Sequence, residues 1–321
     1  MGADVSGGAG APDVLRCEEI EKPIPGDDEV LIAVRAASVN PLDWHFLRGT
    51  PYIGRLQFGL RKPKIPRLGA DVAGRVEAVG RNVTQFKPGD EVFGACRGAF
   101  TEYVCAPEST LVLKPETVTF EQAAAAPVAG FTALQALRDK GRLQPGQTVL
   151  INGAAGGVGT FAVQIAKWLG ADVTGVCSAR NVETVRSIGA DWVIDYTQED
   201  FTRSGQRYDL ILDCVGNHSL SACRRALNPQ GIYIIVGAPD GRWISPLPRV
   251  FQALVMSRLG SQSLVPFLTR GNQKDLIILR DLMAAGKVTP VIDRCYGLDE
   301  VPEAIRYLEA GHARGKVVIT V

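Results

Sequence analysis

Ala154, Gly156 and Gly159 stand at the spacing GxGxxG, with alanine in the first place. Glycine in the second place lets backbone approach a pyrophosphate, and glycine in the third lets a helix pack closely on a strand. The free N–H groups of that helix end hold the anion, so Ala155, Gly156, Gly157 and Val158 form the phosphate-cradling backbone. An isolated match is weak, but this one has its expected surroundings. An apolar strand (Thr148 to Asn152) precedes it, a helix to about Leu169 follows, and a second strand runs from Asp172 to Cys177. Val158, Ala162, Ile165, Ala166 and Leu169 fall at the spacing of one buried helix face. Strand, turn, helix and strand make a βαβ unit.

The second strand runs into Ser178-Ala179-Arg180-Asn181, with no Asp or Glu between Thr174 and Val182. An acid here bonds the ribose 2′-OH of NAD, whereas a cation accommodates a 2′-phosphate. Arg180 therefore predicts NADPH; its alternative is a solvated charge at a strand end. Further strands are expected over Trp192–Tyr196, Tyr208–Gly216 and Gly231–Ala238, with helices between them, completing an open parallel sheet. Ligands bind beyond the carboxyl ends of such strands, which places Cys214, Val215, Gly216, Gly237 and Ala238 at the cofactor crevice.

A second group of candidates lies upstream in ASVNPLDWHFLRGTPY. The Asn40 amide can donate to a developing oxyanion, or Asn40 is a turn former before Pro41. Asp43 either acts on substrate or caps and braces its loop. Tyr52 is a proton donor or an apolar wall. No Ser/His/Asp or Cys/His pattern suggests covalent catalysis. The segment from Pro51 to Pro66 reads as a cover over the substrate mouth or as a solvated basic loop.

The elements that carry these groups are short strands punctuated by Gly and Pro: Glu29–Val39, Gly69–Gly80 and Gly89–Ala95, then a pair within Ala99–Pro115. Alternation at Val30, Ile32 and Val34, and at Val72, Val76 and Val79, predicts half-buried strands of a barrel-like unit. Thr119–Gly141 switches to helical composition, broken near Pro127. In PLPRVFQALVMSRLG, Phe251, Leu254, Val255 and Leu259 share a face, read as core or domain contact, or as a cleft lid. SQSLVPFL is a candidate edge strand, and the chain closes with helix, strand, helix and the strand KVVITV.

The order of β-rich module, GDEVFGA, AFTEYV, GFTAL and VLINGAAGGVG resembles the zinc-free quinone oxidoreductase branch of the medium-chain dehydrogenase/reductase superfamily, from about Pro12 to Val321. The resemblance implies an α/β fold: a doubly wound Rossmann sheet plus a GroES-like β-barrel catalytic domain. Residues 1–119 and 263–321 would form the catalytic domain and 120–262 the cofactor domain. It also implies that Ser178, Arg180 and Tyr196 form the 2′-phosphate pocket. Gly237 would sit by the nicotinamide and Thr132 near its ribose or ring, unless Thr132 is only packing or a cap. The edge strand would pair with its symmetry mate in a homodimer. Asn40 takes the place of a zinc-ligand cysteine, facing nicotinamide ribose or substrate, and Tyr52 falls where relatives carry a cleft tyrosine. Gly69-Ala70-Asp71 replaces GHE, and the four-cysteine lobe is absent. A zinc site needs three or four spaced ligands; no metal is expected. These proteins begin with a short hydrophobic strand that Met1–Gly10 does not supply.

Losing zinc constrains the chemistry. Hydride added to a simple carbonyl leaves an alkoxide, comparable to hydroxide at a pKa of about 16. Added to a quinone it leaves a phenolate, near about 10. Those roughly six units correspond to about 8 kcal/mol. Quinones and α,β-unsaturated carbonyls are therefore the expected substrates.

With 321 residues the chain can build two cores. A net charge of +1 without a basic block excludes nucleic acid and anionic membranes as expected partners. Seven scattered cysteines read as reduced thiols of a cytoplasmic protein. No apolar run spans a bilayer, and MGADVSGGAGAP reads as flexible polar chain.

Overall fold

The computed structural model describes residues 2–6, 11–49, 67–237, 247–258 and 260–321. Tyr52, the loop around it, Ala238 and Leu259 lie outside the described residues. The chain divides into two units, Met1–Phe131 with Gly271–Val321, and Thr132–Arg270. The helix after residue 119 packs on strands of the first unit, so the first division falls later than position 119.

In the first unit the strands are β1 (Gly2–Ser6), β2 (Arg16–Ile20), β3 (Glu29–Val39), β4 (Asp71–Val79), β5 (Glu91–Ala95), β6 (Tyr103–Pro107) and β7 (Leu111–Leu113). Helix α1 (Pro41–Arg48) follows β3; α2 (Phe120–Ala125) and α3 (Pro127–Gln135) meet at the proline break. A seven-stranded sheet has the order β14-β15-β3-β4-β5-β7, with β6 also paired to β3; β14 (Ile292–Gly297) and β15 (Lys316–Thr320) come from the chain's end. β3 is central, and Leu31, Ala36, Ala37 and Ser38 are buried along with Val30, Ile32 and Val34. The half-buried reading of this strand is therefore corrected: α2 packs on β3, β4 and β15 and covers the sheet's other face. Gly2–Ser6 is also a correction, since this polar segment pairs antiparallel with β2. Backbone bonds alone suffice for such a pair, so no apolar alternation announced it.

In the second unit β8 (Thr148–Asn152), α4 (Gly157–Trp168), β9 (Asp172–Cys177), α5 (Val182–Ser187), β10 (Trp192–Asp195), β11 (Tyr208–Asp213), α6 (Leu220–Arg225), β12 (Leu227–Ile235), α7 (Leu247–Arg258) and β13 (Ser263–Pro266) follow in order. The parallel sheet runs β10-β9-β8-β11-β12-β13, with β13 at an edge. Helix α4 is buried at every position from Phe161 to Ala166, not along one stripe, and Val158 and Leu169 are only half-buried. Residues 136–140 lie against the helix in addition to β8 and β9. On α7 the buried residue is Ala253, while Phe251, Leu254 and Val255 are 70%, 53% and 41% exposed. The core reading of that apolar face is thereby overturned within this unit; helical spacing marks a shared face without saying what covers it. The chain then adds α8 (Gln273–Ala284), β14 (Ile292–Gly297), α9 (Val301–Glu309) and β15 (Lys316–Thr320) to the first unit.

Candidate active site

The glycine turn sits at the carboxyl end of β8. Gly153 turns with φ 84°, and Gly156 is the N-cap of α4. A Cβ on Gly159 would meet the Gly153 carbonyl oxygen at 2.1 Å, so this position admits only glycine if α4 is to pack here. A Cβ on Gly156 would meet only that same oxygen, at 3.4 Å, leaving open space above its backbone. The first bond into α4 runs from Thr160 N to the Gly156 carbonyl, 2.9 Å. The N–H groups of Gly157 and Val158 precede it and have no intrahelical partner. Open backbone and helix-end donors together fit a dinucleotide pyrophosphate.

Neighbouring turns close on this one. Asn152, Asp213 and Ile235 are aligned at the ends of β8, β11 and β12. A Cβ on Gly153 would stand 2.8 Å from the Val215 side chain, and one on Gly237 would stand 2.3 Å from the Cys214 carbonyl oxygen. Cys214, Val215 and Gly237 are thus brought beside the glycine turn. Burial, aided by Asp213, pushes the Cys214 thiol far up, so it stays protonated. Tyr196 N donates to the Cys177 carbonyl at 3.0 Å, placing Tyr196 next to Ser178 at the ends of β9 and β10. Asn181 donates to the Ser178 hydroxyl at 3.2 Å and anchors the short turn that carries Arg180. Arg180 is exposed and has no ion pair among the described residues. Thr132 is buried on α3.

The upstream candidates meet in a buried polar cluster of the first unit. Asn40 is the N-cap of α1, with Pro41 at the first helical position. Asp43 reaches back, accepting from Asn40 N at 2.8 Å and from Gly69 N at 2.9 Å. It therefore caps and braces, one of the two readings left open above. Burial pushes its carboxyl up to about 7 against the pull of those two N–H bonds. The Asn40 amide donates to Asp71 at 2.8 Å and to the Ser38 carbonyl at 3.2 Å, and its oxygen accepts from Lys316 at 2.6 Å. Asp71 also accepts from Ser38 Oγ at 2.7 Å and from Val128 N at 3.0 Å. Both amide hydrogens of Asn40 are thus engaged by protein. His45 is half-buried and stacks on Trp44, with ring centroids 3.7 Å apart. His218 lies near Asp200, at 3.9 Å, and against the edge of Phe201. No group of three or more His, Cys, Asp or Glu able to hold a metal ion occurs among the described residues.

Residues 26–116 match the family model for the alcohol dehydrogenase GroES-like domain, and 188–319 match that for the zinc-binding dehydrogenase. A chloroplast envelope quinone oxidoreductase homolog from Arabidopsis thaliana is 34% identical over 94% of this chain and 92% of its own length. The chain belongs to the quinone oxidoreductase branch of the medium-chain dehydrogenase/reductase superfamily. A second member of the wider group, the 2-methylene-furan-3-one reductase of Solanum lycopersicum, is 33% identical over 97% of this chain and 76% of its own. The quinone oxidoreductase of Escherichia coli, solved with NADPH, superposes with a TM-score of 0.85 at 25% identity, covering 99% of this chain and all of that one (100%). Like these relatives, this branch member is an NAD(P)H-dependent oxidoreductase, an enzyme whose fold joins a Rossmann-like parallel sheet to a GroES-like domain.

Sequence reasoning found the glycine turn and missed the side chains that hold the turns around it. Asp213, Asn152, Tyr233 and Arg249 form one network at the carboxyl ends of β8, β11 and β12. Polar residues closing the apolar runs VLIN and LILD were the available signal.

Proposed function

We propose that this enzyme uses NADPH to reduce quinones or α,β-unsaturated carbonyls without zinc. Exposed Arg180 at the end of β9, with no carboxylate beside it in sequence, carries the cofactor preference. Bound NADPH supplies hydride; Gly156, Gly157 and Val158 hold its pyrophosphate, and Ser178, Arg180 and Tyr196 receive its 2′-phosphate. Substrate class rests on the resemblance that puts Asn40 in place of a zinc-ligand cysteine and Gly69-Ala70-Asp71 in place of GHE; the Asn40 amide is held by Asp71 and Lys316, and a substrate reduced without zinc must carry its own electron sink. Asn40 and Asp43 serve this chemistry by fixing the junction of β3 and α1, and Tyr52 remains the proposed proton donor. The position of β13 at the sheet edge supports pairing with a second copy in a homodimer, and the thiol content supports a cytoplasmic setting. Among the described residues no helix is long and apolar enough to cross a membrane.

Initial rates with NADPH and NADH against a panel of quinones, enones and alcohols test the reading. Quinone or enone reduction preferring NADPH is the expected result; alcohol oxidation restored by added zinc would overturn it. The engaged hydrogens of Asn40 favour a second reading, an NADPH-binding protein with little turnover, which predicts tight binding and no substrate-dependent oxidation across the panel.

A further inference from the structure

Asp213 lies at the end of β11 and is almost fully buried. Its Oδ1 accepts three bonds: from Asn152 Nδ2 at 2.8 Å, Val215 N at 3.0 Å and Gly216 N at 2.8 Å. Its Oδ2 faces the other way and accepts from the Tyr233 hydroxyl, with Arg249 Nη2 at 3.4 Å. Its main-chain carbonyl accepts from Val236 N at 3.0 Å and Gly237 N at 2.9 Å. One residue therefore holds the turn after β11 and the turn after β12. Arg249 belongs to α7, and besides Asp213 it donates to Tyr233 Oη at 2.8 Å and to the His218 carbonyl at 2.9 Å.

We propose that Asp213 is a positioning residue for the dinucleotide whose two side-chain oxygens have separate tasks: Oδ1 sets the Val215–Gly216 turn against the cofactor, and Oδ2 anchors helix α7 through Tyr233 and Arg249. The proposal rests on the cofactor reading above only for its first half. A carboxylate oxygen taking three donors is a strong, charge-assisted acceptor, and no water is required to shape the turn. Tyr233 stays a neutral donor, since burial and Asp213 both push its hydroxyl up. The anchoring of α7 has a separate physical basis: its outer face, Phe251, Leu254 and Val255, is exposed, so the helix has few apolar contacts on that side and depends on its polar tether.

Asparagine separates the two tasks. In Asp213→Asn the amide oxygen must face the three Oδ1 donors, because the reverse would set an NH2 group against them. The NH2 group then meets Tyr233, which can turn its hydroxyl to accept, and Arg249, which keeps the Tyr233 hydroxyl and the His218 carbonyl but loses the carboxylate charge beside it. Alanine removes both oxygens. The test uses the full-length protein: NADPH dissociation constants by fluorescence titration, and hydrogen exchange of the free protein over 214–217, 236–237 and α7, for Asp213→Ala, Asp213→Asn and Arg249→Met. Asp213→Ala should weaken NADPH by about tenfold or more, the scale of one lost positioned hydrogen bond. It should also speed exchange in both turns and in α7. Asp213→Asn should hold NADPH within about threefold of the parent, well under the tenfold that 1.4 kcal/mol represents, while α7 exchanges faster. Arg249→Met should match it.

Unchanged NADPH affinity in Asp213→Ala would overturn the first task. Loss in Asp213→Asn as large as in Asp213→Ala would overturn the division between oxygens, as would normal α7 protection in Asp213→Asn and Arg249→Met. A parent protein that binds no NADPH contradicts the cofactor reading instead, and exchange in the turns of Asp213→Asn against Arg249→Met then decides the division alone. Should Asp213→Ala not fold, those two variants still decide the division between the oxygens, and Asp213→Ser, whose single oxygen is one bond too short for the Oδ1 donors, takes the alanine variant's place: unchanged NADPH affinity there would overturn the first task.

Discussion

The Lys316 ammonium donates to the Asn40 side-chain oxygen across 2.6 Å, joining the last strand of the chain to the junction of β3 and α1. Lys316 and Asp71, 3.6 Å apart, are 3% and 0% exposed at the side chain. Burial lowers the lysine's affinity for its proton, and the charges of Asp71 and Asp43 work against that loss. An ammonium here fixes the amide's orientation: the oxygen must face Lys316, and the NH2 must face Asp71 and Ser38. Lys316→Met leaves Asp71 as a buried, unbalanced charge, which costs about 3–5 kcal/mol. Adding Asp71→Asn to it should recover part of that loss, because the Asp71 charge is then no longer stranded and only Asp43 remains. Urea unfolding of the single and double variants checks this; a single-variant loss below about 1 kcal/mol, typical of an exposed pair, would remove the role assigned to the lysine.

Asp43 makes stability depend on pH in a direction opposite to that of an ordinary salt-bridged carboxylate. Its folded value of about 7 lies above the unfolded value of 3.8, so between them the native state binds more protons than the unfolded state. Stability contributed by this group is full below the unfolded value, falls as pH rises through the window, and levels off above about 7. The slope from a single group is about 1.4 kcal/mol per pH unit at most. Asp43→Asn should flatten that slope while costing roughly 1–3 kcal/mol overall, since its NH2 must face a backbone donor at Asn40 or Gly69. Denaturant midpoints between pH 4 and 8 for parent and variant decide it, and equal slopes would exclude Asp43 as the source.

Much of this was legible in the chain itself. Val30, Ile32 and Val34 marked β3, and Gly and Pro punctuation marked where β4 and β5 end, because turns and pleats are local properties. The glycine turn was legible for the same reason: all its parts lie between Asn152 and Gly159. What escaped notice was long in range. Asn152 and Asp213 are 61 positions apart, and Lys316 and Asn40 are 276 apart. In sequence each looked like a polar residue bounding an apolar run, Lys316 at its start and the other three at its end. The exposed face of α7 misled for a different reason, since periodic apolar residues read alike whether or not anything covers them.

Arg180 stands exposed beyond β9, in the short turn that Ser178 opens. A charge-assisted bond to a 2′-phosphate is worth about 1.5–3 kcal/mol. Arg180→Asp should therefore raise the NADPH dissociation constant about tenfold to a hundredfold and improve NADH binding, since a carboxylate accepts from the ribose 2′-OH. The NADPH preference proposed for the parent should also shrink with added salt, which screens an exposed cation. Titration of both cofactors at low and high ionic strength tests this. Equal NADPH affinity in parent and variant would leave Arg180 a solvated charge.

Gly156 and Gly159 are both glycines of one turn, yet the structure gives them different reasons, and alanine should expose the difference. At Gly159 a Cβ would press on the Gly153 carbonyl oxygen at 2.1 Å and on Ala154 Cα at 2.8 Å, both backbone atoms that cannot step aside. Gly159→Ala must shift α4 away from β8, an overpacking cost of about 1–3 kcal/mol or more, so its melting temperature falls with or without cofactor. At Gly156 backbone angles of φ −82° and ψ 175° suit any residue, and a Cβ would project into space left open by the protein. Gly156→Ala should lose at most about 1 kcal/mol of stability, the cost of alanine at an N-cap. Its methyl group occupies the volume where the pyrophosphate approaches, so NADPH should bind at least about tenfold more weakly. Melting curves of the free proteins, set beside cofactor titrations, separate the two. If Gly156→Ala bound NADPH as the parent does, the open space above that backbone would not be where the phosphates lie.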